Sequence, residues 1–130
     1  MSQENVEIVR DAAEAFLRGD WEGLRAGLDP HVLIRLDANW PEQHFYGRDA
    51  WIDFSKSSRE LLGPDVRIEE TQDLGDRVLI RWYWKAHGER SGLEQDLRWS
   101  EIVTLRDGRY VFVELFLDHR EALKAVGLEE

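Results

Sequence analysis

The chain has 130 residues, of which 42% are hydrophobic, so its length and composition predict a single domain with a hydrophobic core. It contains no cysteine, which excludes disulfides and thiolate chemistry, and its 27 acidic against 17 basic residues give a net charge of −10, which disfavours nucleic-acid binding. No segment approaches the roughly 20 consecutive apolar residues of a membrane span, and the amino terminus lacks a secretion signal. We therefore expect a cytoplasmic protein that binds neither nucleic acid nor a membrane.

The first half of the chain has the apolar spacing of amphipathic helices, interrupted by capping residues and by glycine or proline. This pattern predicts helices that begin near Ser2, Asp20 and Arg48, the second of them stopping at Asp29-Pro30. A strand is predicted over residues 31–36, and a polar, aromatic loop follows it.

The second half of the chain has the alternation of long strands. Asp107-Gly108 is a strong hairpin signal between the last two of them. Helices followed by an antiparallel meander predict an α+β domain, in which the helices cover one face of a strongly curved sheet. The predicted strands span residues 66–72, 77–87, 93–106 and 110–117, and a short helix at 118–126 closes the chain.

Glu101 lies on the apolar face of the predicted strand 93–106, two residues after Trp99. A lone ionised carboxylate in such a place costs on the order of several kcal/mol, so it must be paired, hydrated or protonated. Two alternatives remain open. Either the concave face holds a partly polar pocket with a proton-exchanging carboxylate, or Glu101 is exposed by strand twist or paired with an arginine such as Arg35 or Arg81.

Three further residues are candidates for acid–base chemistry. Asp37 and His44 lie in the aromatic loop after the first strand, where a carboxylate and an imidazole could move a proton next to a carbonyl or an epoxide; solvated loop residues are the alternative. Asp118 ends the last strand, but with Glu121 three residues later it also has the spacing of a helix N-cap. Together with Glu101, these are the candidate catalytic residues.

Aromatic side chains are abundant enough to line a ligand cavity, although core packing explains any one of them equally well. The four histidines have no metal-ligand spacing, so we expect neither a metal site nor a cofactor. The residues predicted to line the pocket are Phe16, Trp40, Tyr46, Phe54, Trp82, Trp84, Trp99, Glu114 and Phe116.

The last strand is largely apolar on both faces. A sheet covered by helices on one side only has no internal use for a second apolar face, so we expect a homodimer through the convex face, with Arg81, Tyr83 and Lys85 as its polar part. One face carries Val111, Val113, Leu115 and Leu117, and the other carries Tyr110, Phe112, Glu114 and Phe116.

The order of the elements resembles the SnoaL-like branch of the nuclear transport factor 2-like superfamily. The resemblance spans essentially the whole chain, residues 1–130, as a single domain. It rests on the segments FYGRDAWIDF, DRVLIRWYWKAHGERSG, LRWSEIVTLRDGRYVFVELFLD and HREALKAVGL.

This resemblance implies a cone-shaped barrel of a strongly curved antiparallel sheet, packed against N-terminal helices that close a pocket. Ketosteroid isomerases, polyketide cyclases, limonene epoxide hydrolases and scytalone dehydratases share that fold. Asp37 stands near the position of the isomerases' general base, and Asp118 stands where the cyclases keep an acidic residue. Ile102 replaces the aspartate that serves the isomerases' oxyanion, with Glu101 beside it, and the carboxylate–arginine trio of the epoxide hydrolases has no match.

Two functions follow as expectations. The first is a cofactor-independent acid–base enzyme of isomerase, cyclase or hydrolase type, acting on an apolar carbonyl or epoxide substrate, with His44 or Tyr46 as oxyanion donor. The second is a non-catalytic module that binds a small apolar ligand or only dimerises.

Overall fold

Four helices and six strands make up the part of the chain that the computed structural model describes, residues 2–38, 44–63, 65–87 and 94–128. No helix within these ranges is long and apolar enough to cross a bilayer. The elements are α1 (Ser2–Arg18), α2 (Trp21–Ala26), β1 (Leu28–Arg35), β2 (His44–Tyr46), α3 (Arg48–Leu62), β3 (Val66–Asp73), β4 (Arg77–His87), β5 (Glu94–Arg106), β6 (Arg109–Phe116) and α4 (His119–Ala125).

The strands form one curved, unclosed sheet in the order β2-β1-β6-β5-β4-β3, which confirms the predicted α+β class. The predicted antiparallel sheet has one exception, because β1 and β6 pair in parallel. The other neighbouring strands run antiparallel. The parallel pair arises because β1 comes from the N-terminal segment and enters the sheet beside the last strand of the meander.

Helices α1, α2 and α3 pack on the concave face of the sheet. The buried stripe of α1 includes Val9, Ala12 and Ala13, which lie in the same core cluster as the concave residues of β4. This is the arrangement expected of an amphipathic helix that buries one face. Helix α2 begins where the Asp20 carboxylate accepts a hydrogen bond from Gly23 N at 2.9 Å.

The first strand begins earlier than predicted. Helix α2 ends at Ala26, and β1 already starts at Leu28 and continues through Asp29-Pro30. A register shift between Leu28 and Leu33 interrupts the pairing with β6, so Pro30 can lie in the strand although it has no N–H for the ladder. Strand β2 falls in the segment that was predicted as loop.

The β5–β6 hairpin turns at Asp107-Gly108, as predicted, with φ values of 52° and 77°. Two consecutive positive φ values are typical of the tight turns that match strand twist. A bulge follows, because Thr104 pairs with Phe112 while Leu105 pairs with Tyr110. The bulge turns Tyr110 to the concave face, which corrects the simple alternation that placed it with Phe112.

Helix α4 lies on the convex face. Its Ala122 is buried against Leu79 and Ile102, with Phe116 packed beside them, and His119 Nδ1 lies 2.7 Å from Ser100 Oγ. The idea that helices cover only one side of the sheet is therefore wrong, because α4 gives part of the convex apolar surface an intramolecular partner.

Candidate active site

A cavity of about 130 Å³ lies between the concave face of the sheet and helices α1 and α3. Its lining is mostly apolar, with Ala12 and Ala13 from α1, Phe54 from α3 and Leu115 from β6 among the contributors. Leu97 and Leu117 also belong to the lining but are 37% and 44% exposed, so the cavity opens to solvent at their end.

Three tryptophans from adjacent strands form one wall of the cavity. The indoles of Trp82 and Trp99 are stacked nearly parallel, with ring centroids 5.8 Å apart and an interplanar angle of 9°, and Trp84 lies 5.6 Å from Trp99. Phe16 of α1 contacts Trp82 and Trp84 edge-on, at 6.1 and 6.0 Å. Such a wall offers a flat apolar surface to a ring-containing ligand.

Glu101 is the buried carboxyl group of this cavity, with 7% of its surface exposed. Trp82 Nε1 donates a hydrogen bond of 2.7 Å to its Oε2 atom. Burial raises the pKa of Glu101 from 4.5 to about 7, and the Trp82 hydrogen bond opposes that rise by stabilising the ionised form. A carboxyl group with a pKa near 7 can both donate and accept a proton at neutral pH.

The structure rejects both ordinary explanations offered for Glu101. Strand twist does not expose it, and neither candidate arginine reaches it. Arg35 lies 3.9 Å from Glu114, and Arg81 shares the convex face of β4 with Tyr83, whereas Ile80, the residue paired with Glu101, lies in the concave core. The buried carboxyl group thus faces the cavity without a cationic partner among the described arginines that were considered for it.

The other polar groups of the lining are three hydroxyls and the guanidinium group of Arg98. Tyr110 contributes a phenol, and α3 contributes Ser55 and Ser58. Burial, with the nearby charge of Glu101, raises the pKa of Tyr110 well above its usual range, so its hydroxyl stays protonated and can donate a hydrogen bond. The indole N–H of Trp84 is already used, since it donates to Gly63 O at 2.9 Å.

Several of the predicted pocket residues line the cavity together with Glu101. These are Phe16, Phe54, Trp82, Trp84 and Trp99. Trp40, which was also predicted to line it, lies outside the described residues.

Other predicted site residues lie on the opposite face of the sheet. Tyr46 pairs with Leu33, and His44 pairs with Arg35, so both are on the convex, solvent-exposed side of β2 and away from the cavity. Directly opposed residues of a sheet share a face. The prediction that Tyr46 lines the pocket is therefore wrong, and neither side chain is placed to donate to a ligand there.

Glu114 and Phe116 also need a correction. They alternate along β6 with Val113 and Leu115, which belong to the concave core, so both point to the convex side. There Phe116 packs under α4, and Glu114 lies near Arg35.

The carboxylates of the two remaining candidate residues accept hydrogen bonds from backbone N–H groups. Asp37 Oδ2 accepts a hydrogen bond of 2.9 Å from Leu117 N, which joins the ends of β1 and β6 at the rim of the cavity. Asp118 is the N-cap of α4 and accepts from Arg120 N at 2.9 Å, so the capping alternative describes its geometry. Neither carboxylate belongs to the cavity lining.

The sequence analysis did not assign the polar lining residues Ser55, Ser58, Tyr110 and Arg98 to the pocket. Ser55 lies three residues before Ser58 and four after Trp51, so helical spacing could have placed it on the inner stripe of α3. Tyr110 had no such signal, because the bulge that turns it inward depends on pairing with β5.

Within the described ranges, no three histidine, aspartate or glutamate side chains are grouped in a way that could hold a metal ion. The acid–base groups of the cavity are Glu101 and the hydroxyls around it.

Comparison with known proteins supports the resemblance seen in the sequence. Residues 9–113 match the family profile of the SnoaL-like domain. No curated protein sequence matches the chain.

Solved structures share its fold at low sequence identity. A candidate SnoaL-like polyketide cyclase from Jannaschia sp. CCS1 superimposes with a TM-score of 0.79 at 20% identity, covering 100% of this chain and 96% of its own. A nuclear transport factor 2-like protein from Burkholderia xenovorans LB400 gives 0.75 at 22% identity, with coverages of 89% and 90%. TerC, crystallised with polyporic acid, gives 0.74 at 21% identity, with coverages of 95% and 98%.

Proposed function

This chain belongs to the SnoaL-like domain family, and from that premise we propose that its cavity binds a small apolar carbonyl compound and that Glu101 moves a proton on it. The observation that carries the proposal is the Glu101 carboxyl group, buried in an aromatic cavity with a pKa of about 7. A structural carboxylate in such a place would be expected to have a cationic partner.

The proposed reaction is a proton transfer that needs no cofactor. The Glu101 carboxylate takes a proton from a carbon next to the carbonyl group, and the electron pair of that C–H bond moves to the carbonyl oxygen to form an enolate. A hydroxyl group of the lining, from Tyr110, Ser55 or Ser58, donates a hydrogen bond to this oxygen. The protonated Glu101 then returns the proton to another carbon, which completes an isomerisation.

The size and charge of the cavity restrict the ligand. A dry cavity of roughly 150 Å³ is known to hold one benzene ring, so a volume of about 130 Å³ fits one ring, with larger ligands extending past Leu97 and Leu117. Among the described residues of the lining, one is cationic: Arg98, which pairs with Glu69 at 3.0 Å. An uncharged ring with one carbonyl group therefore fits better than an anion.

Two of the similar structures point in the same direction. The Jannaschia protein is a candidate polyketide cyclase, and TerC was crystallised with polyporic acid. They are consistent with a carbonyl-bearing ligand for this chain.

The test begins with binding. Cyclic ketones, quinones and lactones of one and two rings are titrated against the tryptophan fluorescence, with an epoxide series as comparison. Each compound that binds is then incubated with the protein in D₂O, and exchange of the protons next to its carbonyl group is followed by NMR. Wild type should catalyse exchange. In Glu101→Gln the exchange rate should fall at least hundredfold, which is the usual contribution of a positioned base.

The control variant is Glu60→Gln, which changes an exposed glutamate of α3. It should exchange at the wild-type rate. Ligands that bind but show no protein-catalysed exchange would instead support the non-catalytic binding module. Exchange that survives Glu101→Gln would remove Glu101 from the mechanism.

We also propose that the chain forms a homodimer through the part of the convex face that α4 leaves uncovered. This convex patch consists of Leu33, Tyr46 and Phe112, which are cross-strand neighbours on β1, β2 and β6. Leu33 is 38% exposed and Tyr46 is 67% exposed, an unusual arrangement for a surface without a partner.

Light scattering tests this interface. Wild type should have twice the 15.3 kDa chain mass, and Leu33→Glu should be monomeric because it places charge in the centre of the patch. Leu61→Glu, at an exposed leucine of α3, is the matched control and should stay dimeric. A monomeric wild type at micromolar concentration would contradict the proposal.

A further inference from the structure

We infer that Trp82 is a positioning residue: its indole N–H holds one oxygen of Glu101 and leaves the other oxygen, Oε1, to meet the ligand. This inference deepens the proposed function and rests on it. It assigns to Trp82 a task in addition to forming the aromatic wall.

The geometry of adjacent strands creates the contact. Glu101 of β5 pairs directly with Ile80 of β4, and Trp82 is the next residue on the same face, so the two side chains are diagonal neighbours. Their hydrogen bond is 2.7 Å long, buried, and specific for Oε2. One carboxyl oxygen is thereby fixed, and the carboxyl plane with it.

The indole that holds Glu101 is itself held on two sides. Trp99 stacks on it at 5.8 Å with an angle of 9°, and Phe16 meets it edge-on at 6.1 Å. A donor fixed in this way cannot follow the carboxyl group into another rotamer. Such support of a reactive group by packed neighbours keeps it in one geometry.

The same hydrogen bond determines how readily Glu101 ionises. Burial favours the neutral carboxyl group, and the Trp82 N–H favours the carboxylate. The titratable neighbour on β6 is Tyr110, which stays protonated; α3 contributes the hydroxyls of Ser55 and Ser58, and α1 contributes apolar side chains. Arg98 of the lining is paired with Glu69. The hydrogen bond from Trp82 is therefore the interaction that lowers the pKa of Glu101 enough for the carboxylate to be populated at neutral pH.

The first experiment observes the hydrogen bond directly. Protein labelled with ¹⁵N in its six tryptophans gives one indole N–H signal for each. During a pH titration the Trp82 signal should shift with a midpoint near 7, and Glu101→Gln should remove that shift. The Trp84 signal, whose N–H donates to Gly63 O, should not follow the same titration.

The second experiment removes the donor. The ¹³C shift of the Glu101 carboxyl carbon, assigned by comparison with Glu101→Gln, reports its ionisation across the pH range. Trp82→Phe should move the midpoint upward by about one pH unit, as expected for the loss of one hydrogen bond to a charged group. Trp84→Phe is the matched control, because it also replaces an indole of the same wall by a phenyl ring. It should leave the midpoint unchanged.

A shape-preserving replacement covers the case in which Trp82→Phe disturbs folding or admits water. Incorporation of β-(3-benzothienyl)alanine at position 82 keeps the bicyclic ring and replaces only the N–H group, by a sulfur atom that donates no hydrogen bond. It should reproduce the upward shift and displace the pH profile of proton exchange by the same amount. Equal midpoints in wild type and in this protein would overturn the inference.

Failure of the inference and failure of the proposed function can be distinguished. If the midpoint stays unchanged without the indole N–H, Trp82 has no positioning task, while loss of exchange in Glu101→Gln would still support the proposed function. If Glu101→Gln exchanges normally, the proposed function fails, whatever the titration of Trp82 shows.

Discussion

Replacing Glu101 by glutamine should change how the stability of the protein depends on pH. The pKa of Glu101 is about 7 in the folded protein, against 4.5 without the fold. Between these values the folded state binds more protons than the unfolded state. The contribution of protonated Glu101 to stability is therefore fully present below pH 4.5 and is lost as pH rises through 7. With about 1.36 kcal/mol for each pH unit, the whole difference is about 3 kcal/mol, most of which is lost between pH 5 and 8.5.

Glutamine carries no charge at any of these pH values and keeps an oxygen that can accept from Trp82. The free energy of unfolding of Glu101→Gln, relative to wild type, should therefore rise by about 2–3 kcal/mol from pH 5 to pH 8.5. With urea m-values of roughly 1–3 kcal/mol/M, the gap between the two unfolding midpoints changes by roughly 1–3 M.

Urea unfolding at half-unit pH steps measures this difference, and taking the difference between two proteins cancels the other titrating groups they share. Glu60→Gln, at an exposed glutamate, is the control and should run parallel to wild type. A Glu101→Gln curve parallel to wild type across the whole range would refute the desolvated carboxyl group and the acid–base proposal with it.

Three further predictions concern the cavity, a helix cap and a turn. Ala13→Leu fills the cavity from α1 and should weaken ligand quenching of tryptophan fluorescence at least tenfold while the circular dichroism spectrum stays native; unchanged affinity would place the ligand elsewhere. Asp118→Ala removes the cap of α4 and should cost about 1 kcal/mol in urea unfolding without altering proton exchange; loss of exchange would restore Asp118 as a catalytic candidate. Gly108→Ala, at φ +77°, should cost about 1–2 kcal/mol of stability. Gly27→Ala, at φ −87°, should cost far less, and equal losses would contradict the turn argument.

Local patterns made most of the helices and strands predictable. Alternation along β4 and β5 placed Trp82, Trp84 and Glu101 on one face, because side chains in a strand alternate whatever the strand packs against. The dipeptide Asp107-Gly108 located the hairpin for an equally local reason, its tolerance of positive φ.

Features set by distant parts of the chain were not predictable. The parallel pairing of β1 with β6 and the position of α4 on the convex face follow from packing among elements far apart in the sequence. The bulge in β6 has no distinct sequence signal, yet it decides that Tyr110 faces Glu101 while Glu114 points away.

The site was therefore predicted in part. Glu101 was found because a carboxylate among apolar residues conflicts with burial, and the aromatic wall was found from strand alternation. The hydrogen bond from Trp82 and the positions of Tyr46 and His44 required coordinates, because β2 was expected to be loop. Charge and hydrophobicity along one strand cannot indicate which neighbour supplies a donor.

The parallel pairing of β1 with β6 affects the order in which the chain can fold during synthesis. One partner strand of β1, β2, is made soon after it, but the other, β6, is made after all the other strands. β3 to β6 are joined in sequence order and can pair as they emerge, since short loops close quickly. Val32 and Ile34, fully buried in the finished fold, thus have only the short strand β2 beside β1 until β6 is complete. Completion of the sheet around β1 therefore waits for the carboxyl-terminal hairpin of β5 and β6.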